Sequence, residues 1–464
     1  MASARLGVSD FRSSPYYASL RPRIGKPLKF LHILTYDQAC SCFQGFLELE
    51  AISMPCWTFA DPHELSGLAP LSAGGMPPAL FTPWLANLLP EGPALTTIGQ
   101  SAGVSPGDVL GILEMIGHDT AGALSIGGPA KRGQPSYSKP VGDQLERIIN
   151  DLLRRPFLVG TEGVSMSLAG AQEKLPVALV DGEIVIPLNN NPSTHILKPD
   201  NTRLPGSVQN EAVCLTLAKM IGLNVANVTT GLAGARTYLL VERYDRVMKA
   251  DGWVRLHQED FCQACGKPPS SKYEHNQTGL RGPGLPDLFN GAKQFLPPQD
   301  QLALLDAAIL NVLITNVDSH AKNYSILISG AGARLAPLYD LMCGRAWDHI
   351  TKNMAQDIGG KNRGRYLFRR HWERLAEACG FNKRMLVQRV ISLANQVLTK
   401  VDDAAAAVQS MPAGGHYGMD QVVKEIKSQA NATISNIRAV NQPDSTEGDE
   451  EPEDDGELIS PASP

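Results

Sequence analysis

Two kinds of apolar patterning divide this chain. Short apolar runs separated by turn signals fall at 177–180, 182–187, 195–198 and 238–242, which is the spacing of strands. From residue 301 onward Leu302, Leu305, Ile309, Val312 and Leu313 recur at the three- and four-residue steps of a helix, and they predict one stripe buried against a core. Further helices are expected at 372–379, 383–403 and 418–437. A chain that is strand-rich first and helix-rich afterwards is expected to fold as α+β, with a mixed sheet in one lobe and helices in the other.

At 464 residues the chain exceeds one ordinary core, and about two to three folding units are expected. We divide it into residues 1–140, 141–250, 251–440 and a tail at 441–464. In the first part the pattern predicts a strand at 28–36 and a helix at 79–89 with Leu80, Trp84 and Leu88 on one face. A helix at 106–116 should stop at Gly117, where a left-handed residue commonly ends a helix. Residues 127–139, rich in Gly, Pro and Ser, read as a linker. A short helix is expected at 144–154, and another opens at Asn210 and closes at Gly222.

No stretch approaches the roughly 18 uninterrupted apolar residues that span a bilayer, and the N-terminus lacks the pattern of a secretory leader. The expectation is a cytoplasmic protein with no membrane partner. Eight scattered Cys argue against a disulfide framework. Cys262 and Cys265 have metal-ligand spacing, but no second pair accompanies them, so zinc is not expected. Net charge is −5, yet residues 444–457 hold nine acidic residues and no basic one, which leaves +4 for the rest. The net figure therefore says nothing about a nucleic-acid partner, and the tail reads as a solvated acidic segment.

The chemistry concentrates after the helical stripe. Asp318 is followed after four intervening residues by Asn323, the spacing of a protein-kinase catalytic loop. Phosphoryl transfer needs a carboxylate to orient and deprotonate the acceptor hydroxyl, and oxygen ligands that hold Mg²⁺ on the phosphates. Asp318 suits the first role and Asn323 the second. Asp340 arrives 17 residues after Asn323 and is the candidate second metal ligand. Lys198 ends the alternating run 194–198 and is the candidate phosphate cation, oriented by Glu211 on the following helix.

The segments SMSLAGAQEK (165–174), THILKPD (194–200), NEAVCLTLAKMIGL (210–223), VERYDR (241–246), LHQEDFCQACG (256–266), KYE (272–274), TNVDSHAKNYSILI (315–328) and LAPLYDLM (335–342) resemble the HipA-type serine/threonine-kinase toxin family, whose core is related to the phosphatidylinositol kinases. NLLPEG (87–92) and IGHDTAGAL (116–124) resemble that family's N-terminal part. The likeness covers about residues 75–400.

It implies a two-lobed kinase-like core, with a mainly helical C-lobe and a small N-terminal α/β subdomain, and ATP in the cleft between the lobes. In that pattern Asp318 accepts the proton, Asn323 and Asp340 hold Mg²⁺, Lys198 meets phosphate, and His320 and Lys322 sit near the phosphates. Gly170, Ala171, Gln172 and Lys174 belong to the loop that covers the phosphates, and Glu242 and Tyr244 to the segment that seats adenine. Ser167 corresponds to the family's autophosphorylated serine, and Ser165 is a second serine two residues earlier.

The resemblance also implies a protein substrate among translation factors such as aminoacyl-tRNA synthetases. It implies a HipB-like helix-turn-helix antitoxin partner, through which DNA is contacted. Two other readings stay open from sequence: a catalytically silent binding module in a repressor complex, and a small-molecule or lipid kinase using the same phosphate chemistry.

Overall fold

The computed structural model describes residues 32–33, 78–127, 136–250, 252–329 and 332–439. The acidic segment at 444–457 and most of the strand expected at 28–36 lie outside them. Residues His32–Ile33 form a two-residue strand antiparallel to Ile126–Gly127.

The largest sheet runs Ser136–Ser138, Glu183–Leu188, Leu175–Val180, His195–Pro199, Arg236–Glu242, Val228–Ala233, antiparallel at every step. Its hairpin at 180–183 turns on Asp181 and Gly182, both with positive φ, the two-residue turn whose twist matches paired strands. Ser136–Ser138 forms an edge strand, Tyr137 opposite Pro187, where the composition predicted only linker. An edge strand needs one partner and little apolar content, so no periodic signal marks it in the sequence.

The N-terminal residues do not stand apart from this sheet. Trp84, Ile112 and Leu113 share one continuous core with Ile149, Met166, Leu175, Leu197 and Leu240. Trp84 is buried and its indole N–H donates to Glu259 at 3.0 Å, as a buried indole requires. The helix expected at 106–116 begins at Val109, because the Asp108 carboxylate accepts from the Gly111 N–H at 3.0 Å and caps it. It does end at Gly117, but not through a left-handed turn: φ there is −87°. A Cβ at Gly117 would lie 2.4 Å from the Leu113 carbonyl oxygen and 2.7 Å from that of Ile126. Close backbone approach, not handedness, selects the glycine.

The second core surrounds Pro298–Leu313, in which every residue from Leu304 to Leu313 is buried. Helices Leu285–Phe295, Lys383–Gln409 and Met419–Arg438 pack around it. Each large apolar side chain removed from water there contributes about 1.5–3 kcal/mol, before conformational entropy is counted. A three-stranded antiparallel sheet of His257–Asp260, Ser325–Ser329 and Gly332–Leu335 lies beside the helical core. A cavity lined by residues of both sheets opens between this small sheet and the large one.

Candidate active site

Lys198 stands on His195–Pro199, opposite Leu239, and points its ammonium into the cavity. Its Nζ lies 2.7 Å from Glu211 Oε1 and 2.8 Å from Asp340 Oδ1. Asp200 fixes the strand-to-helix turn between Lys198 and Glu211. Its carboxylate accepts from Ser207 Oγ at 2.9 Å and from the N–H groups of Gly206 and Val208 at 3.1 and 3.2 Å. Burial alone would discharge Lys198, but Asp340 and Glu211 outweigh it and hold the ammonium charged. Burial would likewise raise Asp340, and the Lys198 and Lys174 cations instead hold it at about 2.

Asp318 and Asn323 leave the buried helix through a tight turn. Thr315 has φ 58°, and Asp340 in the facing segment also has φ 58°. A left-handed β-branched residue costs of order 1–3 kcal/mol and persists only where surroundings fix it. Thr315 is fixed by Cys343 Sγ, 3.3 Å from its Oγ1, and by the Gly344 N–H, which donates to its carbonyl at 3.0 Å. Asn316 spans the two strained segments, donating to Asn311 Oδ1 at 2.9 Å and to the Asp340 carbonyl at 3.3 Å. Asn323 Nδ2 donates to the Asp318 carbonyl at 2.8 Å, which leaves its amide oxygen as the acceptor.

An Asp340 carboxylate and an Asn323 amide oxygen form the all-oxygen donor set that suits Mg²⁺, with waters and phosphates completing its shell. Tyr273 hydroxyl donates to Asp318 Oδ1. His320 is buried, its ring 5.0 Å edge-on from Tyr273, and its Nδ1 finds no partner among the described residues. Burial and the Lys272 cation drive its pKa well below the usual value, so the imidazole is neutral.

Lys322 lines the cavity, but its Nζ is committed to Asp260 at 2.7 Å, Asn87 Oδ1 at 2.9 Å and the Asn87 carbonyl at 3.0 Å. Three acceptors saturate an ammonium. In this conformation Lys322 ties the 318–323 turn to the N-terminal residues.

Loop 165–174 is pinned along its length. Ser165 Oγ donates to the Met115 carbonyl at 2.8 Å, and Ser167 Oγ, fully buried, donates to that of Leu88 at 2.7 Å. The Ser167 N–H donates to the Asp119 carbonyl at 2.9 Å, and the Glu91 N–H to that of Gly170 at 3.2 Å. Gly170 has φ 98°, and Lys174 folds back to donate to the Ala169 carbonyl. Burial and the Lys198 cation press the Lys174 pKa down to about 8. Gly170, Ala171, Gln172 and Lys174 all line the cavity; Ser165 and Ser167 do not.

At the other end of the cavity the Glu242 N–H donates to the Asn227 carbonyl at 2.8 Å, and the Tyr244 ring lies 5.9 Å from that of Tyr339. Behind them Arg243, Arg246 and Arg255 converge on Asp119 and Asp245. Sequence reading did not single out this cluster, nor Lys272, whose Nζ lies 2.7 Å from Glu91 Oε2 at the cavity wall. The only signal was that all of these residues except Arg255 fall within the resembling segments.

Cys262 is buried, and burial raises both its thiol and that of Cys265, the latter to about 12. Zinc would need thiolates. Glu274, His275 and Asp357 converge outside the cleft. Their donors are already used: Glu274 Oε1 pairs with Arg281 at 2.7 Å and its Oε2 accepts the Asp357 N–H at 2.8 Å.

Comparison with known proteins agrees with the geometry. Residues 166–405 match the HipA-like C-terminal domain and residues 55–127 the HipA N-terminal domain. A putative kinase Y4mE of Sinorhizobium fredii is 40% identical over 338 residues, 70% of this chain and 77% of that protein. The serine/threonine-protein kinase toxin HipA of Shewanella oneidensis is 29% identical over 325 residues, 68% of this chain and 75% of that protein. A solved complex of Shewanella oneidensis HipA with HipB and operator DNA contains a chain that superposes with TM-score 0.74 at 26% identity, covering 88% of this chain and 97% of that one. Among the described residues no helix is long and apolar enough to cross a membrane.

Proposed function

The chain belongs to the HipA family, and from that premise we propose that it is an ATP- and Mg²⁺-dependent serine/threonine-protein kinase. The observation that carries this reading is Lys198 held between Glu211 and Asp340 at 2.7 and 2.8 Å. One buried cation there bridges the sheet lobe and the segment beside Asp318. A protein that had lost phosphate chemistry would have no reason to keep a cation, a strained Asp340 and an oxygen donor set around one cavity.

In the proposed reaction the acceptor hydroxyl oxygen bonds to the γ-phosphorus of ATP as the bond from that phosphorus to the β,γ-bridging oxygen breaks. ADP leaves and the hydroxyl proton passes to the Asp318 carboxylate. Mg²⁺, held by Asn323 and Asp340, would supply charge neutralisation on the phosphates. Lys198 fixes the direction in which Asp340 presents its carboxylate, and Glu211 fixes Lys198. Gly170, Ala171, Gln172 and Lys174 cover the phosphates, and His320, being neutral, offers a hydrogen bond rather than a charge. Glu242 and Tyr244 border the adenine end.

The acceptor is proposed to be a serine or threonine of a translation-related protein, the aminoacyl-tRNA synthetases being the class the resemblance implies. The chain is further proposed to modify itself at Ser167 or Ser165. Ser167 Oγ, buried on the Leu88 carbonyl, reaches a nucleotide only after loop 165–174 has moved. Once phosphorylated it would face carbonyl oxygens at Leu88 and Asp119 in place of donors, so the loop would stay out and activity would fall. By analogy with the Shewanella complex, a helix-turn-helix partner would join this chain, and DNA would be reached through that partner. A cytoplasmic location goes with this reading.

Incubation with ATP and Mg²⁺ followed by intact-protein and peptide mass spectrometry tests it. One added phosphate, mapped to Ser165 or Ser167 and lost in Asp318→Ala, is the expected result. ATP binding without phosphate gain on unphosphorylated starting material would refute self-modification. Transfer to a metabolite or lipid in place of protein would replace the acceptor class.

A further inference from the structure

Four lysines face the proposed phosphate cavity, and the contacts already made sort them by what they can still do. Lys322 has three acceptors in Asp260 and Asn87. Lys198 is shared between two carboxylates, and Lys174 bends back to the Ala169 carbonyl of its own loop. Lys272, like Lys174, has one hydrogen-bond acceptor among the described residues, Glu91 Oε2 at 2.7 Å, and its Nζ lies 5.4 Å from the Tyr273 ring centroid, so two N–H donors remain to meet an anion. Unlike Lys174, it is held by a carboxylate from outside its own segment.

Lys272 also packs along the turn that carries Asp318, whose own lysine, Lys322, is already committed to Asp260 and Asn87. The Lys272 carbonyl accepts the Ala321 N–H at 3.2 Å. The next residue, Tyr273, donates its hydroxyl to Asp318. Burial and, after it, the Lys272 charge keep the His320 imidazole neutral. In the proposed reaction the γ-phosphoryl group and the acceptor hydroxyl meet beside Asp318, and Lys272 lines the cavity with it, whereas Lys198 is already bound to the proposed metal ligand Asp340.

Glu91 comes from the N-terminal residues, and its backbone N–H donates to Gly170 of the covering loop at 3.2 Å. Its Oε1 is buried without a hydrogen-bond partner among the described residues. A carboxylate kept half-satisfied at the cavity wall, with its other oxygen on Lys272, is a counter-charge for that lysine.

We propose that Lys272 is a catalytic residue that contacts the γ-phosphoryl group during transfer, and that Glu91 is the positioning residue that holds Lys272 for it. The N-terminal residues are then part of the catalytic apparatus. This rests on the kinase reading above. A cation used mainly on the transferring group lowers the barrier without tightening the ground-state nucleotide complex. Removing it therefore separates rate from affinity.

The test uses the full chain with ATP and Mg²⁺, measuring the single-turnover autophosphorylation rate by mass spectrometry and ATP affinity by calorimetry. Lys272→Met is expected to slow phosphorylation about 100-fold or more while ATP affinity stays within about threefold. Lys272→Arg should restore part of the rate. Glu91→Gln, which keeps the shape and loses the charge, should cost about tenfold in rate with affinity unchanged. Full rate in Lys272→Met, or an equal loss of rate and affinity, would overturn the catalytic role. If Lys272→Met fails to fold, Glu91→Gln and Lys272→Arg decide, and unchanged rates in both overturn the proposal. A wild-type chain that binds ATP and transfers phosphate neither to itself nor to a supplied protein acceptor refutes the kinase reading itself; activity that survives in the variants refutes only this one.

Discussion

Replacing Asp119 with Asn tests the buried charge cluster, because the structure fixes both the size and the sign of the effect. Asp119 accepts from Arg246 at 2.9 Å, Arg255 at 3.2 Å and Arg243 at 3.5 Å, and from Ser193 Oγ and N–H at 2.6 and 3.0 Å. No side chain in the set of Asp119, Asp245, Arg243, Arg246 and Arg255 is more than 6% exposed. Three guanidinium groups thus face two carboxylates in a place water cannot screen. Burial opposes ionisation of Asp119, yet the three arginines hold its pKa far below the usual range. Asp119→Asn raises the uncompensated charge from one to two, and breaking a buried ion pair from one side costs about 3–5 kcal/mol.

Arg255→Met makes the opposite change. It leaves two arginines against two carboxylates, and its cost is mainly the lost hydrogen bonds to Asp119 and Asn190, about 2 kcal/mol. Urea denaturation followed by fluorescence measures both, and the gap between them should persist in 0.5 M salt, since screening over roughly 4 Å acts on exposed charges. Should Arg255→Met prove as costly as Asp119→Asn, charge balance is not what holds the cluster and the reasoning fails.

Lys198→Met should lower the phosphorylation rate by about 100-fold or more, since it removes the ammonium that Asp340 and Glu211 share; a rate assay that shows near-wild-type turnover would remove Lys198 from the mechanism. Lys174, pressed to about 8 by burial and Lys198, is partly neutral at pH 8 in the free protein, and phosphate favours its charged form. ATP binding should therefore take up protons, and affinity should fall as pH rises through about 8, both readable by calorimetry in buffers of different ionisation enthalpy. Zero proton uptake at pH 8 would contradict this. Gly117→Ala should destabilise the chain by about 1–3 kcal/mol through overpacking against Leu113 and Ile126, while its φ of −87° imposes no strain; an unchanged melting temperature would show that the neighbouring backbone yields.

Residue spacing set out the order of the candidate site, and the family resemblance supplied the roles: Lys198 at a strand end, Glu211 on the next helix, and the Asp318, Asn323 and Asp340 series after a buried helix. Those features are local, because strand alternation, helix periodicity and short loops impose them within one segment. The α+β division was legible for the same reason. Contacts between distant segments were not. Nothing in the sequence pairs Lys272 with Glu91, 181 residues away, or Lys322 with Asn87, 235 residues away, and nothing gathers Asp119 with three arginines. Such partners are chosen when two surfaces close and each buried charge must find a counter-charge. Gly117 shows the limit from the other side: the sequence placed the end of the helix, but only the packed backbone of Ile126 decided why a glycine had to stand there.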